Sequence, residues 1–178
     1  MITAEFLEDG NDEWEGIPSL SIGQKSDFEI QYIKVGLLKL GTKHLLLHIH
    51  ATDQCTCFKS LKINGNHIVI GFGEMAHFVN IENESIISKK LDGYFGDLYT
   101  PDDFDLTNCA FSILVASANY LHHYTFSGEE IWKSEMLGID GVNVRKVEPP
   151  LVYISGEWDP PGGWEQKIIQ LQNGKTKI

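Results

Sequence analysis

Apolar and polar positions alternate along most of this chain in short runs, and no segment sustains a period of 3.6 residues. From Ile68 the pattern predicts a strand over 68–72, a second over 76–81, a polar turn at "ENES", and a third strand over 86–91. Gly93 then marks a bend into a fourth. The same order follows at 113–117, 121–126, the turn "SGEE", 131–136 and Gly138. Short alternating strands punctuated by Gly, Asn and Ser turns define an all-β chain.

The two stretches align on each other. "IVIGFGEMAHFVNIENESIISKKLDG" from Ile68 lies over "ILVASANYLHHYTFSGEEIWKSEMLG" from Ile113 at a constant offset of 45 positions. His77 falls on His122, Ile81 on Phe126, Glu84 on Glu129, Ile86 on Ile131, Gly93 on Gly138 and Gly96 on Gly141. That period belongs to blade-like units of four antiparallel strands. A degenerate third copy uses Val152-Tyr153-Ile154 and Ile168-Ile169-Gln170-Leu171 as its first two strands, with extra residues Asp159 to Trp164 in the hairpin between them. Ahead of the repeats, "FEIQYIKVGLLKLGTKHLLLHIHA" predicts two strands around Gly41-Thr42, and "FKSLKINGNHIVIGF" a hairpin on Asn64-Gly65.

One domain is expected for 178 residues. It divides into amino-terminal strands with an acidic leader (1–66), a first repeat (67–111), a second (112–150) and a degenerate third with a long hairpin (151–178). "YTFSGEEIW" resembles the strand-turn-strand core of quinoprotein-type propeller repeats, over roughly one blade. The resemblance implies a propeller-like stack of sheets without a quinone cofactor. The length expects an incomplete propeller-like stack or a twisted β-sandwich rather than a closed ring.

Charge narrows the functions. Fourteen basic residues stand against 25 acidic ones, a net −11. The acids gather at Glu8, Asp9, Asp12, Glu13 and Glu15, and again at Asp102, Asp103 and Asp105. Such a field repels nucleic acid and anionic membrane and speeds the approach of basic proteins. "KSLKIN", with Lys59 and Lys62, is too thin a basic stripe to offset it. No apolar run is long enough to span a membrane, and the opening "MITAEFLEDGNDEWEG" lacks the features of a secretory leader. With three cysteines (Cys55, Cys57, Cys109), a reducing, cytoplasmic compartment is expected.

Candidate chemistry is sparse. His44, His48 and His50 share one face of a strand, and "CTC" follows. A zinc site from His48, His50, Cys55 and Cys57 is conceivable. The Cys-x-Cys spacing fits better with a polar histidine face beside small cysteines, so no metal or cofactor is expected. His122-His123 with Asp140 suggests acid–base work, yet adjacent strand residues point to opposite faces, and His122 coincides with His77 in the repeat. No nucleophile elbow, phosphate loop or metalloprotease helix motif is present, and a non-enzyme is expected.

The densest feature is "GEWDPPGGW". Asp159 precedes a proline and is driven to extended backbone, while Pro161-Gly162 suits the centre of a type II turn. Trp158 and Trp164 stand on opposite legs, either pairing as architecture or presenting an aromatic anchor between Glu157 and Asp159. "GIDGV" followed by this motif, in a small acidic β-rich chain, resembles the immunity proteins of contact-dependent and other polymorphic toxin systems. The resemblance implies a stoichiometric inhibitor whose partner is a basic, nuclease-type toxin. The residues expected to meet it are Glu8, Asp9, Asp12, Glu13, Glu15, Asp102, Asp103, Asp105, Glu157, Trp158, Asp159 and Trp164. The alternatives are a carbohydrate- or small-ligand-binding β-module, and an unrecognised hydrolase.

Overall fold

The alternation resolves into fifteen strands, gathered in four sheets, in a computed structural model that describes residues 1–8, 12–23, 31–51, 57–107 and 111–177, apart from the side chains of Asp12 and Gln31. In order they are β1 (Ile2–Leu7), β2 (Ser19–Ile22), β3 (Gln31–Lys39), β4 (Thr42–Ala51), β5 (Lys59–Asn64), β6 (His67–Phe72), β7 (Met75–Asn80) and β8 (Ser85–Lys90). Then follow β9 (Phe95–Tyr99), β10 (Ile113–Ser117), β11 (Leu121–Tyr124), β12 (Glu130–Lys133), β13 (Val142–Glu148), β14 (Leu151–Glu157) and β15 (Trp164–Gln170).

The first sheet runs β1-β3-β4-β2, with β2 parallel to β4. The second is β5-β6-β7-β8, the third β9-β10-β11-β12, and the last β13-β14-β15, all antiparallel. In the last sheet, residues 175–177 fold back on β15 through an isolated bridge between Ile169 and Thr176, a rudiment of the fourth strand. The chain is all-β, and the described residues form no closed barrel.

Sheets and sequence repeat are out of phase by one strand. The segment after Gly93, fourth in the first repeat, is β9, and it pairs with β10 of the second. The segment after Gly138 is β13, which pairs with β14. Each repeat thus contributes three strands to one sheet and opens the next. The predicted hairpin before the repeats forms one residue later than expected. Its turn is Gly65-Asn66, because Asn64 pairs with His67 and Gly65 takes φ +59, as a type II′ turn requires at its first centre.

Three cores separate the four sheets. Val35, Leu37, Leu47 and Ile49 of the first meet Ile68, Ile70 and Val79 of the second. Val69 and Phe78 on the other face of that sheet meet Phe95, Leu98, Ile113 and Val115 of the third. Leu114, Leu121 and Trp132 on its far face meet Val144, Val152, Ile154 and Ile169 of the last. Strands β6 and β10 are therefore buried on both faces, which is why they read as unbroken apolar runs instead of an alternation.

Close approaches depend on missing side chains. A Cβ on Gly71 would lie 1.9 Å from the Phe95 ring, and one on Gly36 only 2.3 Å from the Trp14 ring. Three side-chain hydrogen bonds also join the last two sheets. Trp132 Nε1 donates to the Leu171 carbonyl at 2.8 Å, and the Tyr99 hydroxyl donates to Asn143 while accepting the Val144 N–H. Burial, with the nearby Asp97 charge, pushes the Tyr99 hydroxyl up to about 12, so it remains a donor. Along the inner side of the stack β1 lies beside β5, β5 beside β9, and β9 beside β13. No helix among the described residues is long and apolar enough to cross a membrane.

Candidate functional site

Where β5, β9 and β13 begin, the chain leaves an open cleft of about 410 Å³. The residues just ahead of these strands form its floor and one wall. Phe58 stacks on Tyr94 with ring centroids 5.9 Å apart and planes 22° from parallel. The Tyr94 hydroxyl donates to both the backbone carbonyl and the carboxylate of Asp140, fixing the loop that leads into β13. Asp97, on β9, and Glu157, at the end of β14, add two more carboxylates, and Trp164 completes the aromatic lining. Phe58 and Trp164 are 49% and 40% exposed, so both offer ring surface to solvent.

The electrostatics of the cleft are one-sided. Asp97 accepts the Leu98 N–H at 2.7 Å, Asp140 the Tyr94 hydroxyl at 3.1 Å and Glu157 the Gly162 N–H at 2.7 Å. All three carboxylates are oriented by neutral donors, and among the described residues none has an ion-pair partner. Arg145 lies 6.0 Å from the Trp164 ring. Several acids elsewhere have a lysine partner. Glu13 pairs with Lys43, Asp92 with Lys133, Glu148 with Lys146 and Asp103 with Lys62.

The "GEWDPPGGW" loop feeds this cleft from one side only. Glu157 pairs with Trp164 across the β14–β15 hairpin. The loop closes with the Gly163 N–H donating to the Asp159 carbonyl at 2.9 Å, a five-residue turn, in place of the type II turn expected at Pro161-Gly162. The two indoles part company. Trp158 is half-buried beneath Lys167, whose ammonium sits 4.3 Å from the ring, and its Nε1 is buried with no partner. Trp164 packs against Gly141 at the mouth, where an added Cβ would lie 3.2 Å from its ring. Asp159 is exposed at the loop tip.

The sequence's acidic clusters lie elsewhere. Asp102 and Asp103 follow β9 and line a separate opening with Lys62, Thr100 and Phe111. The length of β9, about 17 Å, separates them from Tyr94. Although burial would raise it, hydrogen bonds from Lys62 and Thr100 hold the Asp103 carboxyl below the usual range. Asp105 takes a left-handed backbone, φ +55, at the end of that turn, and is exposed. Glu8 and Glu15 share a hollow on the outer side of the first sheet with Trp14, Lys34 and His48. Asp9 and the side chain of Asp12 lie outside the described residues.

His44, His48 and His50 do share the outer face of β4, while Leu45, Leu47 and Ile49 face the core. Cys55 and Cys109 are outside the described residues, and Cys57 is exposed with a free thiol. Among the described residues no group of three His, Cys, Asp or Glu side chains is placed to hold a metal ion. His122 and His123 point to opposite faces, the first stacked on Tyr124, the second against Phe111 and Trp132. Asp140 serves Tyr94, not these histidines.

Phe58, Tyr94 and Asp97 carry no motif, and their joining with Asp140, Glu157 and Trp164 was not visible in the chain. The signal available was positional, since Phe58 and Tyr94 each sit one residue ahead of an inner strand. The chain matches no protein-family model and no curated protein.

Proposed function

We propose that this chain is a non-enzymatic, stoichiometric protein-binding inhibitor of the immunity-protein kind, acting in the cytoplasm on a basic, nuclease-type bacterial toxin. The observation that carries the reading is the cleft at the start of β5, β9 and β13, where Asp97, Asp140 and Glu157 have no ion-pair partner among the described residues and lie beside exposed Phe58 and Trp164. An overall charge of −11 would draw a basic protein in, and desolvated aromatic surface would then slow its release. The acids at Glu8–Glu15 and Asp102–Asp105 contribute to the long-range field. Those paired with lysine contribute less, because their charge is already compensated.

The stacked Phe58–Tyr94 pair beside an opening of about 410 Å³ also favours a second reading, a β-module that stacks a sugar ring. Salt separates the two. The experiment is calorimetry against the product of the reading frame directly upstream, at low and moderate ionic strength. Nanomolar one-to-one binding with an association rate that falls as salt rises supports the inhibitor. Absence of binding to that product, with weak salt-insensitive binding of a saccharide, supports the sugar module instead.

A further inference from the structure

Resting on the reading of a basic protein partner, we infer that the cleft is a receptor for one arginine side chain, which the partner inserts between the aromatic rings and the three carboxylates. Charge decides the sign of the ligand. Asp97, Asp140 and Glu157 line one opening, are held in place by neutral donors, and have no ion-pair partner among the described residues. They are prepaid in orientation and uncompensated in charge, the arrangement in which a cation gains most from arriving.

The lining decides which cation. A small metal ion requires oxygen or nitrogen donors converging on one point, and no such group of three is found among the described residues. It would also have to shed water against Phe58, Tyr94 and Trp164. A lysine ammonium can sit over a ring, as Lys167 does over Trp158, but as a compact, strongly hydrated point charge it cannot lie flat on the ring and direct in-plane donors to carboxylates. A guanidinium is planar, weakly hydrated and carries its donors in the plane of the group. It can lie on an aromatic face while directing N–H groups sideways to carboxylates. The cleft offers both elements, since the stacked Phe58–Tyr94 pair and the 40%-exposed Trp164 line the same opening as the carboxylates. Arg145 already lies 6.0 Å from Trp164, so the ring accepts a guanidinium within this chain. The volume, about 410 Å³, admits a side chain and its flanking backbone but not a folded element.

The test uses the intact chain and three probes, N-acetyl-arginine methylamide, its lysine counterpart and the neutral isostere N-acetyl-citrulline methylamide, titrated into ¹⁵N-labelled protein. The arginine probe should bind in the millimolar range, with shifts centred on Tyr94, Asp97, Gly141 and Trp164, and the citrulline probe about tenfold more weakly. Trp164→Ala and Asp140→Asn should each weaken the arginine probe several-fold while circular dichroism stays that of the wild type. Equal binding of arginine and citrulline overturns the inference, as do shifts centred on Glu8–Glu15 or Asp102–Asp105, tighter lysine binding, or no shift at tens of millimolar. The outcome is separable from the inhibitor reading. Arginine bound in the cleft with no affinity for the upstream product removes the inhibitor and leaves the receptor. Tight binding of that product, unchanged in Trp164→Ala and Asp140→Asn, removes the receptor and leaves the inhibitor.

Discussion

Acidification from pH 7.5 to 5.5 should cost this fold about 3 kcal/mol through two buried histidines. His77 is 1% exposed and His123 4%. His77 Nδ1 lies 2.8 Å from the Ser88 hydroxyl, and its Nε2 is buried without a partner. His123 Nε2 accepts the Ser112 backbone N–H at 3.3 Å, so the ring proton belongs on Nδ1, also buried and unpartnered. A second proton on His123 would set one N–H against another. On His77 it would leave a charged ring with a single acceptor. Burial pushes both rings down to about 4. The unfolded chain takes up these protons near the ordinary 6.5, so the unfolded state binds more protons over the whole interval between. Stability is complete above about 6.5 and falls with pH until about 4, by about 1.4 kcal/mol per unit for each ring. A sample at pH 5.5 is one unit into that window, which gives about 1.4 kcal/mol per histidine.

The assay is urea unfolding at pH 7.5, 6.5 and 5.5, with His77→Asn, His123→Phe and the double variant. Relief of acidic self-repulsion acts in the opposite direction in all four proteins, so the comparison of slopes isolates the rings. Each single variant should lose about half of the difference in slope between wild type and double variant, whatever it costs at pH 7.5. His122, lowered by burial against the opposing pull of Glu130, leaves a residual slope in the double variant. A slope from pH 7.5 to 5.5 that is the same in wild type and double variant refutes the reasoning.

Trp14→Ala should destabilise by about 3–5 kcal/mol in chemical denaturation, because the ring is 4% exposed and covers the first sheet. Gly36→Ala should cost about 1–3 kcal/mol alone and much less in the Trp14→Ala background, since the new methyl would meet that ring; equal costs in both backgrounds would remove the contact from the account. Asp103→Asn should lower stability by about 1 kcal/mol or less, and less still in high salt, since the Lys62 pair is about a quarter to a third exposed. Trp158→Ala should reduce stability by about 1–2 kcal/mol in thermal melts through its packing under Lys167, whereas Trp164→Ala should stay within about 0.5 kcal/mol.

The strands were legible because their burial writes itself into residue order. β3 shows one-faced alternation, while β6 and β10 are nearly continuous apolar runs because sheets cover them on both sides. The repeat was legible for the same reason, and His77 and His122 do occupy equivalent places, on corresponding sides of successive sheets. The phase was not. A repeating series of strands has no intrinsic beginning, and β9 joins β10 because Phe95 seats over Gly71 of the preceding sheet, a contact between residues far apart in the chain. The loop at residues 157–164 announced Glu157 and Trp164 by composition. Phe58, Tyr94, Asp97 and Asp140 meet them only because β5, β9 and β13 lie side by side, with Phe58 on Tyr94 at one end and Lys62 on Asp103 at the other. Local spacing carries no trace of that arrangement.

A stack of sheets that does not close must end somewhere, and its two outer faces would be the natural place for further stacking. The chain ends it chemically. On the outer side of the first sheet Lys34 sits 5.5 Å from the Tyr32 ring and Lys43 5.3 Å from the Trp14 ring. On the last sheet Lys146 lies 5.8 Å from Tyr153, and Arg145 6.0 Å from Trp164. On the first sheet the Trp14 ring lies over Gly36 as a next sheet would, and the cations beside these rings keep the outermost layers hydrated. The inner sheets show the alternative at matching strands, where Val69 and Val115 meet the neighbouring sheet with no polar layer at all. Other lysines are paired with carboxylates outside the cleft, as with Lys62, Lys90 and Lys133. The carboxylates of the cleft are left uncompensated by that distribution.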